Sequence, residues 1–450
     1  MILFHLMQKV ILTQLLEKMS KVDNKVSIVT LGCAKNLVDT EVLTGGLKSN
    51  KYNIIESPED SDIVIVNTCG FLDKARDESI NTILNLGRLR KDGKIKKLIA
   101  MGCFTERYGD AVEEEIPEVD AVFGSEDHAN VLTYLTGKEF QKNDPDFQRS
   151  TLTPKHYAYL KISEGCDNGC SFCSIPLMRG MQLSQPIAWN IMEAKRLAKN
   201  GVKELLVIGQ DTTSYGWDLD VKAGLHDLFD ELNKVEDIEW LRLHYAHPAH
   251  LNRKMIERFS SLDKLIPYID MPVQHGSEKM LKDMRRGLGP DGIRRRIDKL
   301  RDHNPDMAIR TSIIVGFPGE TDKEFNEMLD FIEEIQFDRL GVFTYSEEEG
   351  TYGAKALEDN ISKEVKNDRY KEVMMLQQGI NFRKNKNLIG TTQRVLIDIY
   401  KTDGFSLGRT YRDSPEIDNY VKINQKVEPG TFCNVKITDA MEYDLIGEVS

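Results

Sequence analysis

The sequence lacks any long stretch of uncharged apolar residues, and this absence excludes a membrane-spanning protein. No run in the 450 residues approaches the roughly 18 uncharged apolar positions of a transmembrane helix. The first nineteen residues, MILFHLMQKVILTQLLEKM, are interrupted by polar side chains and have neither a basic start nor a small-residue cleavage site. They therefore do not predict a secretory signal. We expect a cytoplasmic protein that makes no membrane contact.

The sequence also lacks an excess of positive charge. Its 60 Lys and Arg residues against 72 Asp and Glu residues give a net charge of −12, which argues against broad, nonspecific binding of nucleic acid. The composition, 40% hydrophobic and 29% charged, is that of a globular protein with a sizeable core. Residues 1–25 are interpreted as a short extension or as a mis-assigned start, with Met19 as the alternative initiator.

Cysteine is scarce, with seven residues in the chain. Without a secretory signal, these cysteines indicate a reducing compartment and a metal or redox use. Six of them form two groups of three, and the seventh, Cys433, lies in a strand-like run and is interpreted as a core residue. The two groups are Cys33, Cys69 and Cys103, and Cys166, Cys170 and Cys173.

The alternation of strand and helix patterns predicts an α/β protein of three folded domains. Over 26–140, short β-branched runs separated by helical patterns predict a doubly wound parallel sheet. A polar linker follows over 141–156. Six βα repeats over 157–387 predict a partial, TIM-like α/β barrel, in which the loops after the strands build the active site. Alternating runs divided by turn signals predict a small β-barrel over 388–450.

Cys33, Cys69 and Cys103 each come directly after a predicted strand: IVTLGC, VIVNTC and LIAMGC. The carboxyl ends of parallel strands lie along one edge of a sheet, where ligands bind, so the three thiols could converge there. The alternative is three buried structural cysteines, because free cysteine is among the most buried residue types. Their shared position favours a common metal site.

The second group has the spacing C-x3-C-x2-C in the loop after the first predicted barrel strand. Zinc prefers paired C-x2-C hooks and a fourth Cys or His ligand, and no histidine lies in or next to this loop. Iron–sulfur clusters are bound by compact runs of thiolates, and three cysteines leave one iron without a protein ligand. The pattern therefore favours a cluster with an open position for a substrate or cofactor.

This motif, with the aromatic Phe172 before its last cysteine, resembles the radical S-adenosylmethionine superfamily. Two cysteine groups followed by a small barrel resemble its methylthiotransferase branch. Within that branch, TLGCAKN (30–36) and CSFCSIPLMRG (170–180) resemble the ribosomal-protein aspartate methylthiotransferases, the RimO family. The loops GQDTTSYG, VQHGSEKMLKDMRRG and RTSIIVGFPGET are also similar to that family's.

The resemblance implies two 4Fe-4S clusters and S-adenosylmethionine as cofactors. Cys166, Cys170 and Cys173 would be the catalytic ligands, and their cluster would cleave S-adenosylmethionine to an adenosyl radical. The cluster on Cys33, Cys69 and Cys103 would hold the sulfur that is inserted. The implied substrate is an aspartate of small-subunit ribosomal protein twelve, modified at its β-carbon, and a reductant protein would be a second partner.

Five further residues are candidates for cofactor binding, each with a structural alternative. Phe172 stacks on adenine or shields the cluster. Gln210 and Asp211 contact the cofactor or form hydrogen bonds within their loop. Arg310 pairs with the cofactor carboxylate or with a structural acid. Gly316 shapes a tight loop that lets backbone approach the cofactor.

Other polar residues are interpreted as structural. The run MRRG (284–287) is expected to be a solvated turn, and His244, His247 and His275 fit structural roles as well as functional ones. Two departures from the family pattern, Met181 with Gln185 and the run YGAKALEDN after Thr351, affect substrate contacts more than the chemistry.

The terminal barrel resembles the TRAM domain, which often binds RNA. Residues 391–450 contain seven Lys and Arg residues and ten Asp and Glu residues, a net charge of −3. Phosphate backbones require a basic surface, so no strong nucleic-acid signal is present, and a basic ribosomal protein fits better. Two alternatives stay open: a tRNA methylthiotransferase, and a noncatalytic metal-cluster protein that binds the ribosome.

Overall fold

A computed structural model describes residues 24–140, 149–221 and 223–450. The chain forms two compact units, one up to Leu152 and the other over Thr153–Ser450. The expectations for residues 1–23, with the alternative start at Met19, and for positions 141–148 of the linker fall outside the described residues. Among the described helices, none has the length and apolar character needed to cross a membrane.

The first unit contains a five-stranded parallel sheet in the order β2-β1-β3-β4-β5. Its strands are β1 (Lys25–Thr30), β2 (Asn53–Ile54), β3 (Ile63–Thr68), β4 (Lys97–Gly102) and β5 (Ala121–Val122). Its helices are α1 (Ala34–Ser49), α2 (Asp73–Lys91), α3 (Cys103–Glu115) and α4 (His128–Thr136), with a 3₁₀ turn at Pro58–Asp60.

Apolar cores cover both faces of this sheet. Ile65 packs with Leu43 of α1 and Leu132 of α4 on one face, and Val64 packs with Phe104 of α3 on the other. All six residues of β3 are buried, as expected for a central strand covered on both sides. The predicted doubly wound sheet is confirmed. The strand order reverses at β1, because β2 pairs with one edge of β1 and β3 pairs with the other.

The second unit contains an open parallel sheet of six strands in the order β13-β12-β11-β10-β9-β6, which confirms the predicted partial barrel. These strands are β6 (Tyr157–Lys161), β9 (Glu204–Ile208), β10 (Trp240–Leu243), β11 (Leu265–Asp270), β12 (Ala308–Val315) and β13 (Arg339–Thr344). A short antiparallel pair, β7 (Ser163–Glu164) and β8 (Leu183–Ser184), was not predicted.

Helices follow the strands of this sheet, as βα repetition requires. They are α5 (Ile175–Arg179), α6 (Ile187–Lys199), α7 (Leu225–Leu232), α8 (Arg253–Ser261), α9 (Glu278–Asp283), α10 (Pro290–His303), α11 (Asp322–Ile335), α12 (Tyr352–Ala356) and α13 (Lys363–Lys386), with a 3₁₀ turn at Thr212–Ser214.

The predicted terminal barrel is also confirmed. Five strands close it in the order β14-β15-β16-β18-β17. They are β14 (Thr392–Tyr400), β15 (Ser406–Arg409), β16 (Val421–Ile423), β17 (Phe432–Ala440) and β18 (Leu445–Val449). Cys433 of β17 is half-buried beside the barrel's apolar core, as the sequence predicted.

The six-stranded sheet presents one face to its helices and the other to the terminal barrel. Side chains alternate along a strand, so Leu241 and Leu243 join the large core with the helices. Trp240 points the opposite way and packs edge-on against Phe432 of β17, with ring centroids 4.8 Å apart. The terminal barrel is therefore part of the second unit's core.

A buried ion cluster fastens the terminal barrel to the sheet. Glu204 of β9, Arg242 of β10 and Arg409 of β15 are fully buried. Arg242 Nε donates to Glu204 at 2.7 Å, and Arg409 Nη2 lies 2.8 Å from the other Glu204 oxygen. Burial by itself would raise the pKa of Glu204, but the two guanidinium groups outweigh it and lower the pKa.

The loop at 410–418 reaches from the barrel to the same face of the sheet. Ser414 Oγ lies 3.0 Å from His244 Nε2, and Tyr268 donates to Asp418 at 2.9 Å. His244 follows a strand of the sheet, and Tyr268 lies within one. The loop at 410–418 therefore supplies hydrogen-bond partners to polar side chains of the sheet that would otherwise be buried without them.

Replacing Arg409 by methionine should destabilise the second unit by about 3–5 kcal/mol, because Glu204 and Asp398 would stay buried without their shared cation. Urea unfolding followed by circular dichroism measures the loss. Because the pKa of Glu204 is lowered, the network contributes its full stabilisation to the folded state at pH values above the ordinary pKa of 4.5. The difference between wild type and variant should therefore shrink as the pH falls through the lowered pKa.

The matched control is Arg394→Met, which removes an exposed arginine of the same barrel from its surface partner Glu239. Exposed ion pairs contribute about 0–1 kcal/mol, so this variant should unfold nearly as wild type does. Equal losses of unfolding free energy in the two variants would contradict a special role for the buried ion cluster.

Candidate metal centres

The first cysteine group lies at one edge of the first unit's sheet. Cys33 precedes α1 at the end of β1, Cys69 follows β3, and Cys103 opens α3 directly after β4. These are the carboxyl ends of three adjacent strands, at the point where strand order reverses. Open α/β sheets bind their ligands at this position.

Asn36 connects the thiols of this group. The Sγ atoms of Cys33 and Cys103 lie 3.9 and 3.7 Å from the same amide oxygen of Asn36. The Asn36 amide nitrogen donates to the carbonyls of Leu31 and Thr68 at 2.9 Å each, which fixes the side chain between two strand ends. The structure thus brings two thiols of the group to one buried polar atom.

The third thiol lies against Gly32. This glycine has φ +91°, and a Cβ there would stand 2.8 Å from Cys69 Sγ and 3.4 Å from the amide nitrogen of Asn36. A side chain at position 32 would therefore displace Cys69. Gly32 therefore leaves room for Cys69 next to Asn36, which the other two thiols contact.

The second cysteine group lies at the carboxyl edge of the six-stranded sheet, after β6 and β7. Burial is the main cause that raises the pKa of Cys166 to about 11 and of Cys173 to about 12. The negative charge of neighbouring thiolates raises both pKa values further, and Cys170 acts on each of them. The thiols of this loop therefore interact electrostatically with one another.

Ser171 holds the cysteine loop from two sides. Its backbone N–H donates to the carbonyl of Met284 at 3.1 Å, and its hydroxyl donates to the carbonyl of Asp283 at 2.8 Å. Gly353 donates to the Ser171 carbonyl at 2.6 Å. Gly353 belongs to the departing run after Thr351, so the backbone of this run also supports the cysteine loop.

The residues around the second group fit an iron–sulfur cluster. Arg286 contacts Cys170 through Nη1, and its buried Nε has no hydrogen-bond partner among the described residues. Buried N–H groups rarely stay unsatisfied, and the sulfurs of a cluster accept such bonds.

Arg286 corrects our expectation for the run MRRG. Met284 and Arg286 are buried, whereas Arg285 and Gly287 are exposed, so only half of the run is a solvated turn. Arg286 Nη1 lies 3.1 Å from Cys170 Sγ. The apolar residues Met280, Leu281 and Met284 mark a buried helix just before Arg286. This pattern in the sequence could have predicted that Arg286 is buried.

Comparisons with known proteins agree with this arrangement of domains. The uncharacterized protein family UPF0004 matches residues 25–124, the radical SAM superfamily matches 160–332, and the TRAM domain matches 389–449. Two curated relatives are ribosomal protein uS12 methylthiotransferases RimO. The one from Clostridioides difficile is 44% identical over 94% of this chain and 98% of its own length. The one from Cytophaga hutchinsonii is 46% identical with the same coverage.

The chain belongs to the RimO family. Among solved structures, the radical S-adenosylmethionine methyltransferase TsrM from Kitasatospora setae has a similar fold, with a TM-score of 0.55 and 13% identity over 74% of each chain. At that identity the likeness concerns the fold alone. Membership of the RimO family therefore rests on the curated relatives.

In this RimO-family chain, Asp211 and Gln210 lie in the loop after β9. Burial alone would raise the pKa of Asp211, but hydrogen bonds from His250, Thr213 and Asn168 outweigh it and hold the pKa well below its usual range. The Asn168 amide, at 2.8 Å, ties this loop to the cysteine loop. Gln210 donates to Glu164, which precedes the first cysteine by two residues.

Phe172 and Gly316 lie above the same sheet edge. Phe172 packs against an apolar group that includes Phe317 and Tyr345, so it shields one side of the cysteine loop. Gly316 has φ +70°, and a Cβ there would stand 2.3 Å from the Lys366 side chain. Glycine is therefore required at position 316 because the Lys366 side chain of α13 lies close to the backbone there.

Arg310 lies away from the cysteine loop. Its guanidinium donates to Asp270 at 3.0 Å and to Asp418 of the terminal barrel at 3.3 Å. These contacts match the alternative of a structural acid. His244 and His275 are also structural, because His244 lies between Ser414 and Asp270, and His275 Nε2 lies 2.9 Å from Glu320.

The exposure of the cysteines predicts their order of alkylation in the metal-free protein. Cys33 is exposed, whereas burial and raised pKa values keep Cys166 and Cys173 protonated. At neutral pH, a pKa of about 11 instead of 9.0 lowers the thiolate fraction roughly a hundredfold. Iodoacetamide labelling followed by peptide mass spectrometry should find Cys33 modified first and Cys173 last.

Unfolding provides the control for this experiment. In concentrated guanidinium chloride, burial no longer separates the thiols, and all of them should react at similar rates. Labelling of Cys173 as fast as that of Cys33 in the folded protein would contradict the raised pKa of the Cys173 thiol.

Proposed function

We propose that this chain methylthiolates an aspartate side chain of small-subunit ribosomal protein twelve at its β-carbon. The relatives that are 42–46% identical to it are named for the methylthiotransferase reaction on that ribosomal protein. One structural observation supports the proposal: each of the two cysteine groups follows strands at the carboxyl edge of a parallel sheet. A single group would suffice for cleaving S-adenosylmethionine alone.

The bond to be changed explains why such cofactors are needed. An aspartate β-carbon carries unactivated hydrogens, and general acid–base catalysis contributes only about 10²–10⁴-fold. S-adenosylmethionine and the iron–sulfur clusters, when bound, supply the radical chemistry and the sulfur that protein side chains lack.

The protein's own residues bind and orient these groups. Cys166, Cys170 and Cys173 would hold one 4Fe-4S cluster, which would supply the radical chemistry together with S-adenosylmethionine. The hydrogen bonds of Ser171 fix the loop from which two of these thiols project. Cys33, Cys69 and Cys103 would hold the second cluster. This group includes an exposed thiol, which suits a site that a sulfur donor must reach.

The cofactor contacts form the finer part of the proposal. Gln210 and Asp211 follow β9, and Phe172 lies within the cysteine loop, and this placement supports contacts of all three with the bound cofactor. Gly316, after β12, shapes the loop beside them. The contacts of Arg310 with Asp270 and Asp418 support a structural role, and we propose no cofactor contact for it.

The partners follow from the chemistry. A cluster that transfers an electron requires a reductant protein, and a ribosomal protein substrate implies a location in the cytoplasm. The exposed apolar side chains of Leu177, Met181 and Leu183, beside the second cysteine group, offer a contact surface for the substrate. The domain limits of 26–140, 157–387 and 388–450 belong to the same proposal.

The mass of ribosomal protein twelve tests the function directly. Cells that carry this gene should yield the protein with one methylthio group in place of hydrogen, located on an aspartate by peptide sequencing. Cells without the gene should yield the unmodified mass. A methylthio-nucleoside that appears in tRNA instead would overturn the substrate, and an unchanged pattern in both would overturn the reaction.

Cysteine variants of the reconstituted enzyme separate the roles of the two groups. Cys166→Ala should abolish cleavage of S-adenosylmethionine, because its cluster loses a ligand. Cys69→Ala should retain some cleavage but form no methylthiolated product. Chromatography of 5′-deoxyadenosine and mass spectrometry of the substrate measure the two outcomes.

Cys433→Ala is the matched control, since it removes a thiol that belongs to neither group. It should keep both activities. Normal cleavage by Cys166→Ala, or full thiolation by Cys69→Ala, would contradict the assigned roles.

A further inference from the structure

Arg286 is a buried cation that contacts a cysteine of the second group. Its side chain follows the short helix α9 and is 6% exposed. Nη1 donates to Cys170 Sγ at 3.1 Å, and Nη2 donates to the carbonyl of Pro272 at 2.7 Å. The planar guanidinium is thus held with one edge toward the sulfur.

The charge of Arg286 has no carboxylate partner among the described residues. Its hydrogen-bond partners there are one sulfur and one carbonyl, and its Nε has none. A buried cation without a counterion destabilises the folded state, because it loses its hydration without gaining a compensating charge. This cost is removed if the neighbouring thiols are thiolates, as they are when they bind iron.

The backbone around Arg286 fixes this position. Its N–H donates to the Leu281 carbonyl at 2.9 Å, and the preceding Arg285 adopts a left-handed φ of +56°. Arg285 therefore points to solvent and stacks on Tyr352, with its guanidinium carbon 3.4 Å from the ring centroid. Two adjacent arginines of equal charge thus have different surroundings, and only Arg286 reaches the cysteine.

We propose that Arg286 is a positioning residue that donates a charge-assisted hydrogen bond to the Cys170 sulfur and raises the reduction potential of the bound cluster. The inference rests on the proposed function, because it requires a cluster on Cys166, Cys170 and Cys173. Hydrogen bonds to sulfur and nearby charge are among the factors that set cluster potentials. A positive group favours the reduced cluster, which carries one more negative charge than the oxidised cluster.

The test measures the potential of this cluster alone. In the full-length chain, Cys33, Cys69 and Cys103 are replaced by alanine, so that the paramagnetic signal comes from one site. Redox titration followed by electron paramagnetic resonance then compares this background with the same protein carrying Arg286→Gln. At a fixed potential, the ratio of reduced to oxidised cluster should fall about tenfold, which corresponds to about 59 mV for one electron.

Arg285→Gln is the matched control, because it removes the same charge one residue away without touching a cysteine. Its potential should stay near that of the background protein. A partial loss of cluster does not affect the comparison, since the signal comes only from loaded protein. If Arg286→Gln binds no iron, Arg286→Lys replaces it in the comparison, and an unchanged potential in that variant would overturn the directed hydrogen bond.

The outcomes separate this inference from the proposed function. Iron bound to the background protein, with equal potentials for it and for Arg286→Gln, would overturn the role of Arg286 while the cluster site stands. A similar shift in Arg285→Gln and Arg286→Gln would show a general effect of charge and would also overturn it. Absence of iron from the background protein would overturn the cluster site itself, and the inference with it.

Discussion

The second unit depends on the burial of Glu204 between Arg242 and Arg409. A charge in the middle of a parallel sheet is tolerated only when a partner meets it, and one of the two partners comes from the terminal barrel. The barrel is therefore required to complete one face of the six-stranded sheet, while the helices cover the other. The barrel covers that face near the first residues of the strands. The carboxyl ends of the strands therefore stay available for the cysteine loop.

Features that follow from local periodicity could be predicted from the sequence. Strand runs of β-branched residues gave the two parallel sheets, and each cysteine of the first group could be assigned to a strand end because it directly follows such a run. The role of Arg286 could not be predicted in this way. Its contact with Cys170 joins residues 116 positions apart, and sequence spacing carries no information about such a contact. Arg310 was ambiguous for the same reason, since Asp418 lies 108 positions away.

The charge of the terminal barrel shows a second limit of sequence reasoning. Its net charge of −3 suggested a surface suited to a basic partner. Asp413 and Asp418 are instead used within the unit, where they bind Arg339 and Arg310 of the sheet. A count of charged residues does not distinguish charges that face solvent from those that join two domains. Part of the barrel's acidity therefore stabilises the fold and is not available to a substrate.

The dependence of the sheet on the loop at 410–418 has a consequence for synthesis of the chain. The ribosome makes the cysteine loop at 166–173 more than two hundred residues before it makes the partners of His244 and Arg242 in the terminal barrel. At the usual 5–20 residues per second, this gap lasts roughly 10–50 seconds. Throughout that time the cysteine loop follows a sheet whose second face still lacks the barrel that covers it.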